Sequence, residues 1–155
     1  MIRIREILFP ENVLLDLLAE SREEGIHQVA ESLKADARIA DWNEFYRALR
    51  ECDASAKVNL KFGLTLPHTR TDAVNQMVMA FGRLAQPVQN SDGSIRFILM
   101  IGIPKTMDAE YLRLVGALMR VFRSEKARTS LLVAKRPDTI VGAFERAVTE
   151  PEHRE

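Results

Sequence analysis

Four segments of the chain show the alternating or continuous apolar pattern that is typical of β-strands. Short apolar runs bounded by turn residues favour strands that lie buried inside a sheet. The segment 94–104 is the most hydrophobic of the four, and we therefore expect it near the centre of the sheet. The predicted strands comprise residues 12–17, 62–67, 75–84 and 94–104.

Five further segments carry apolar residues at helical spacing and follow recognisable start signals. Ser or Asp followed three residues later by Glu can cap a helix reciprocally. Proline fits the first turn of a helix because its missing N–H has no intrahelical partner there. The predicted helices begin at Ser21 with Glu24, at Asp41 with Glu44, at Asp108, at Ser124 and at Pro137.

The order of these elements predicts an α/β fold. Two helices separate the first two strands, three strands then follow in a row, and three helices close the chain. Consecutive strands favour antiparallel neighbours, whereas the long first connection permits a parallel pair. We expect a mixed sheet with helices on both faces, formed by one domain over residues 1–150, and a frayed polar tail over residues 151–155.

Composition and charge exclude several classes of protein. The chain has 155 residues, of which 46% are hydrophobic and 28% charged, so a sizeable core is expected. Its 22 basic and 22 acidic residues balance, which gives no electrostatic footprint for nucleic acid. The apolar runs are far shorter than a membrane helix, and the amino-terminal segment does not have the pattern of a signal peptide. A cytoplasmic protein without direct membrane insertion is predicted.

The few cysteine and histidine residues argue against a metal centre. The single Cys52 excludes an internal disulfide framework, and we interpret it as a half-buried helical residue rather than a nucleophile. The three histidines, His27, His68 and His153, are widely separated, so a histidine metal site is not predicted. We interpret His27 as a surface residue. No phosphate-binding loop is present, and no cofactor is predicted.

The segment Phe62–Val74 raises the clearest chemical hypothesis. Pro67 has no N–H to give to a sheet, so the strand is expected to end there and to place His68 at its carboxyl edge, where α/β sheets bind ligands. Neutral imidazole is nucleophilic near pH 7 and can carry a labile phosphoryl group. Backbone N–H groups of Thr69 and Arg70, free of the ladder, could hold the phosphoryl oxygens together with the Thr69 hydroxyl and the Arg70 guanidinium. From the local pattern alone, a surface or helix-capping histidine is an equally good interpretation.

Three stretches in the same order resemble a known family. They are GLTLPHTRTDAV with MVMAFGRLAQPV, NVLLDLLAESREEGIHQVAESL, and RFILMIGIP with AEYLRLVGALMRVFR. Together they resemble the type-2 EIIA component (fructose/mannitol/nitrogen-regulatory class) of the phosphoenolpyruvate-dependent sugar phosphotransferase system, over about residues 3 to 148. The resemblance implies a mixed five-stranded sheet between helices. It also implies that His68 accepts a phosphoryl group from HPr or its nitrogen-system relative and passes it to a B-component cysteine.

Two departures from the family pattern concern the predicted site. Many members carry a second histidine opposite the first, and the corresponding position here is Tyr111, which can donate a hydrogen bond but has an ordinary pKa near 10. Tyr111 shares a helical face with Val115 and Leu118, so a simple core residue is the alternative interpretation. The resemblance also implies that Arg50 points at the phosphohistidine, although a solvated helix end explains Arg50 equally well. The stretch that follows keeps Ser55 but has lost most of the family glycines, and Asn59 is a weaker candidate for the same pocket.

Two other functions remain open from the sequence. The chain could be a regulatory binding module in which phosphorylation of His68 decides which partner docks. It could also be a degenerate domain that binds a partner without taking phosphate. Retention of His68, Arg70 and Arg50 favours phosphoryl transfer over the degenerate alternative.

Overall fold

The structure is a computed structural model, and it describes residues 3–55, 61–90 and 93–149. Its strands are β1 Val13–Leu17, β2 Leu64–Thr65, β3 His68–Arg70, β4 Val78–Asn90 and β5 Gly93–Ile103. Its α-helices are α1 Arg22–Glu31, α2 Trp42–Ser55, α3 Asp108–Arg123, α4 Glu125–Val133 and α5 Pro137–Thr149. The tail predicted for residues 151–155 lies outside the described residues.

The five strands form one mixed sheet, which confirms the predicted fold class. Strand β5 lies between β4, which runs antiparallel to it, and the edge formed by β2 and β3, which both run parallel to it. Strand β1 pairs parallel with β4 at the opposite edge. Strand β4 is longer than predicted because it continues past an irregularity in its pairing with β5, between Arg83 and Val88.

Helices cover both faces of this sheet, as the sequence predicted. On one face, α3, α4 and α5 pack on the alternate residues of β4 and β5 that include Phe81, Phe97 and Ile101. On the other face, α1 and α2 pack on the intervening residues, which include Ile98 and Met100. The strong apolar character of β5 follows from this burial on both sides.

The predicted capping residues begin three of the helices. The Ser21 hydroxyl accepts a hydrogen bond from the Glu24 backbone N–H at the start of α1, and Ser124 accepts one from Ala127 at the start of α4. The Asp41 carboxylate accepts one from Glu44 before α2. These bonds satisfy N–H groups that the first helical turn would otherwise leave without a partner.

Proline interrupts the edge strand beside β5 but does not end it. Residues of β2 and β3 pair with β5 at the same sequence offset, from Leu64 opposite Phe97 to Arg70 opposite Ile103. Pro67 still accepts a hydrogen bond from the Ile101 N–H through its carbonyl, at 3.0 Å. The prediction that the strand ends at Pro67 was therefore wrong, because the missing N–H removes one ladder bond and the next three residues resume pairing.

Within the described ranges, no helix has both the length and the apolar composition needed to cross a membrane.

Candidate functional site

The resumed edge strand β3 fixes the position and tautomer of His68. His68 is partly buried, and its Nδ1 atom lies 2.8 Å from the backbone carbonyl oxygen of Leu66. A carbonyl can only accept a hydrogen bond, so the proton of the neutral imidazole resides on Nδ1. The lone pair is consequently on Nε2, which is the atom that can attack an electrophile.

Tyr111, on the first turn of α3, stacks on the imidazole. The ring centroids of His68 and Tyr111 are 5.7 Å apart, and the planes are inclined by 26°. Burial, and to a lesser extent the neighbouring Cys52, raise the pKa of Tyr111 to about 12. The phenol therefore keeps its proton at neutral pH and remains a hydrogen-bond donor beside the histidine.

Arg70 lies on the same face of β3 as His68, because side chains two residues apart point to the same side of a strand. Its Nε atom is 2.6 Å from Oδ1 of Asp108, and its Nη2 atom is 3.0 Å from Oδ2. Nη2 also donates to the Lys105 carbonyl oxygen at 3.3 Å. Nη1 forms no hydrogen bond to any described residue, so one edge of the guanidinium remains available.

The structure places Thr69 on the opposite face of the sheet from His68. Thr69 is 4% exposed and pairs with Gly102, whose missing side chain faces Phe45 of α2. The Thr71 N–H donates a hydrogen bond to the carbonyl oxygen of Ile103 on β5. Because the backbone groups of alternate residues point to the same side of a strand, the N–H of Thr69 also points towards β5. The expectation that the hydroxyl and N–H of Thr69 contact a phosphoryl group does not fit this placement. The N–H of Arg70, the next residue, points away from β5, because adjacent residues of a strand direct their backbone groups to opposite sides.

Arg50 is exposed near the end of α2, and its guanidinium lies over the ring of Tyr46, 5.7 Å from the ring centroid. It forms no hydrogen bond or ion pair with His68 or Tyr111 in this structure. Asn59, the weaker candidate for the same pocket, lies outside the described residues, and the Ser55 side chain is not described either.

Sequence reasoning missed three contributors to the site. Leu66 acts through its backbone carbonyl, which no side-chain motif reveals. In the sequence, Asp108 is indistinguishable from any acidic residue at the start of a helix. Its ion pair with Arg70 joins positions that are 38 residues apart, so no local pattern indicates it. Cys52 was predicted to be half-buried on a helix, which its intermediate exposure confirms, but its proximity to Tyr111 was not foreseen.

The family comparison matches almost the whole chain. Residues 6–147 match the family model described as "Phosphoenolpyruvate-dependent sugar phosphotransferase system, EIIA 2". This match covers every strand, the helices α1 to α4, and all but the last two residues of α5. It also includes His68, Arg70, Asp108 and Tyr111.

Individual relatives agree with the family match. The chain is 30% identical to the PTS system fructose-specific EIIA component of Haloferax volcanii, over 76% of this chain and 79% of that protein. It is 24% identical to the 2-O-alpha-mannosyl-D-glycerate-specific EIIABC component of Escherichia coli, covering 94% of this chain but only 23% of that longer protein. The crystal structure of the nitrogen regulatory protein IIA-Ntr from Neisseria meningitidis has the same fold, with a TM-score of 0.80 at 20% identity over 91% of this chain and 98% of that one.

Proposed function

The chain belongs to the EIIA 2 family of the phosphoenolpyruvate-dependent sugar phosphotransferase system, and we propose that Nε2 of His68 is its phosphoacceptor atom. EIIA components are phosphoryl carriers that receive the group from an HPr-type protein and pass it to an EIIB component, and this is the function of the chain. The observation that carries the assignment of the atom is the bond between Nδ1 of His68 and the Leu66 carbonyl, which leaves the Nε2 lone pair unprotonated.

The proposed transfer consists of two displacements at phosphorus. The Nε2 lone pair of His68 attacks the phosphorus of the phosphohistidine on the donor, and the donor imidazole leaves with the electrons of its P–N bond. In the second step a thiolate of the EIIB component attacks the same phosphorus, and the electrons of the new P–N bond return to Nε2. The proton stays on Nδ1 throughout, and its hydrogen bond to the Leu66 carbonyl oxygen stabilises the positive charge of the phosphorylated ring.

Two neighbouring side chains are placed to assist this transfer. Arg70 offers the free edge of its guanidinium on the same strand face as His68, where it can neutralise phosphoryl oxygens. Tyr111 stacks on the imidazole and keeps a hydroxyl proton to donate. Arg50 completes the site in our proposal by turning from the Tyr46 ring towards the phosphoryl group, whereas Thr69 serves the packing of β3 on α2.

The direct test is intact-mass analysis after incubation with phosphoenolpyruvate, enzyme I and HPr. Wild-type protein is expected to gain one phosphoryl group that brief acid treatment removes, and the His68→Ala variant is expected to gain none. The matched control is His27→Ala, because His27 is an exposed histidine on α1 that bonds Glu31 and Tyr46 rather than the site.

Besides the expected result, two other outcomes are informative. Labelling that persists in His68→Ala, or that disappears in His27→Ala, contradicts the assignment of the phosphoacceptor. No labelling of wild type by HPr or by its nitrogen-system counterpart contradicts phosphoryl transfer itself and supports the degenerate binding domain.

We propose that residues 1–150 form one domain that acts in the cytoplasm. The process that we propose for it is the transport of a sugar. The name of the Haloferax relative associates that protein with fructose, so a fructose-type EIIB is the first acceptor to test. The alternative is a nitrogen-type regulatory module whose docking depends on phosphorylation of His68. A pull-down with and without phosphorylation distinguishes the two, because the first captures an EIIB component and the second a regulatory protein such as a kinase or a potassium transporter.

A further inference from the structure

Helix α3 and strand β3 face each other through two aligned contacts. On the strand, His68 and Arg70 are two residues apart and point to one side. On the helix, Asp108 and Tyr111 are three residues apart and lie on one face. Tyr111 meets His68 and Asp108 meets Arg70, so the first turn of α3 contacts both strand residues at once.

We propose that Asp108 is a positioning residue for phosphoryl transfer, and this rests on the proposed role of His68. Asp108 occupies the Nε and Nη2 edge of the Arg70 guanidinium and directs the Nη1 edge to the phosphoryl group on His68. It does not touch the transferred group itself. Its action is to hold the arginine in the one orientation in which the unused donors face the reacting atoms.

The geometry of the ion pair supports orientation rather than stability as its role. Both carboxylate oxygens of Asp108 engage the guanidinium, at 2.6 Å and 3.0 Å, which fixes the plane of the arginine fork. The Lys105 carbonyl adds a third point of attachment at 3.3 Å. The side chains of Arg70 and Asp108 are 51% and 58% exposed, and ion pairs this exposed contribute little to folding.

An Arg70 side chain without the Asp108 ion pair would have to be ordered during the transfer step. A free Arg side chain on an exposed strand edge samples many rotamers, and ordering it during transfer has an entropic cost. Fixing it in advance removes that cost from the reaction barrier. The carboxylate is itself well placed, because an acidic group in the first turn of a helix is favoured by the helix dipole.

The neighbouring ion pair offers a matched control. Asp72 lies two residues after Arg70, and its carboxylate is 3.4 Å from the Lys105 amino group. This pair joins the same strand end to the same loop as the Arg70–Asp108 pair. Neither the Asp72 carboxylate nor the Lys105 amino group is bonded to His68 or to the Arg70 guanidinium, which takes only the backbone carbonyl of Lys105. Removing the Asp72 carboxylate therefore measures what an ion pair without contact to Arg70 contributes.

The experiment measures single-turnover transfer from phospho-HPr at several donor concentrations for wild type, Asp108→Ala, Arg70→Ala, the double variant and Asp72→Ala. Asp108→Ala is expected to lower the maximal rate about tenfold, the effect of one well-placed charged hydrogen bond. The donor concentration that gives half the maximal rate should not change. Arg70→Ala should be at least as slow, and the double variant should be no slower than Arg70→Ala, because Asp108 acts only through the arginine. Asp72→Ala should transfer at the wild-type rate.

Several results would overturn the proposal. A wild-type or faster rate in Asp108→Ala means that the carboxylate does not assist, or competes with the phosphoryl group for Arg70. Multiplicative losses in the double variant mean that Asp108 acts independently of Arg70. A loss shared by Asp72→Ala and accompanied by a lower unfolding temperature assigns the effect to folding. Failure of wild type to accept phosphate overturns this inference together with the proposed function, whereas the other results leave His68 as the phosphoacceptor.

Discussion

The imidazole of His68 is stacked on the phenol ring of Tyr111, with the centroids 5.7 Å apart. This contact joins the proposed nucleophile of the edge strand to the first turn of α3, at the position where the family pattern has a second histidine in many members. The tyrosine keeps its proton at neutral pH, so it can donate a hydrogen bond but cannot accept a proton as a histidine would. The ring and the hydroxyl of Tyr111 therefore have separable roles.

Replacing Tyr111 by phenylalanine tests the hydroxyl alone. Tyr111→Phe retains the stacked ring, and we expect the rate of transfer to His68 to fall about three- to tenfold through loss of one neutral hydrogen bond. Tyr111→Ala should be slower still, because it also frees the imidazole from its packing partner. Single-turnover transfer from phospho-HPr measures both variants. A wild-type rate in Tyr111→Phe would assign the whole role to the ring.

The raised pKa of Tyr111 predicts a stability change at alkaline pH. Burial raises the pKa in the folded protein to about 12, above the ordinary value of about 10, so folding favours the neutral phenol. Its contribution to the free energy of unfolding is therefore complete below about pH 10 and is lost as the pH rises through about 12. Urea denaturation of wild type and Tyr111→Phe across this range should show wild type losing stability relative to the variant.

A spectroscopic titration checks the same prediction independently. The chain has two tyrosines, so the tyrosinate absorbance of wild type minus that of Tyr111→Phe isolates Tyr111. A midpoint near pH 10 in the difference curve would contradict the partial burial of the phenol beside His68.

The sequence predicted those parts of the molecule that depend on local patterns. Ser21, Asp41 and Ser124 cap the helices that they were expected to cap, since capping is decided within three residues. The placement of the strong apolar run at the centre of the sheet followed from burial on both faces. Pro67 was misread because a proline in an edge strand removes one hydrogen bond, while the pairing partner on β5 decides whether the strand resumes.

The contacts that organise the site could not be predicted in this way. Whether Thr69 or Arg70 shares a face with His68 depends on the strand continuing, and a strand that ended at Pro67 left both possible. The pairing of Arg70 with Asp108 depends on how α3 packs over the sheet, which is a property of the whole core. Only the resemblance to a known family could indicate that position 111 faces position 68.

A buried ion pair outside the site should make stability fall in acid. The side chains of Asp36 and Arg38 are 8% and 7% exposed, and the hydrogen bond from Arg38 lowers the pKa of Asp36 against the opposing effect of burial. A lowered folded pKa gives stability that is present above the unfolded value near 3.8 and is lost as the pH falls through the folded value. Urea denaturation at pH 7 should show Asp36→Asn destabilised by about 1–3 kcal/mol.

The stability difference between wild type and Asp36→Asn should depend on pH in the acid range. Below pH 4 the difference between wild type and Asp36→Asn should shrink, because the wild-type carboxylate becomes protonated. The exposed Asp138, which pairs with Arg136, gives a matched control, and Asp138→Asn should change stability little at either pH. A constant difference across the acid range would mean that Asp36 acts through packing rather than charge.

Alanine substitutions at two glycines, one in a crowded and one in an open environment, test the packing that supports β3. A Cβ atom on Gly102 would lie 2.6 Å from Cε1 of the fully buried Phe45 and 3.1 Å from Cγ2 of Val78. Both side chains are fully buried, so Gly102→Ala is expected to force a shift in the core and to lower the free energy of unfolding by about 1–3 kcal/mol. Because Gly102 pairs with Thr69, a displaced β5 also moves the strand that carries His68, and transfer should slow.

The matched substitution is Gly116→Ala on the exposed face of α3. A Cβ atom there meets nothing closer than Nη1 of Arg120 at 3.9 Å, and alanine favours the helix over glycine by about 0.5–1 kcal/mol. This variant should therefore be more stable than wild type and should transfer phosphate at the wild-type rate. Urea denaturation and single-turnover transfer measure both variants side by side. Equal stability of Gly102→Ala and wild type would contradict the close contact between α2 and β5, and with it the placement of Thr69 against α2.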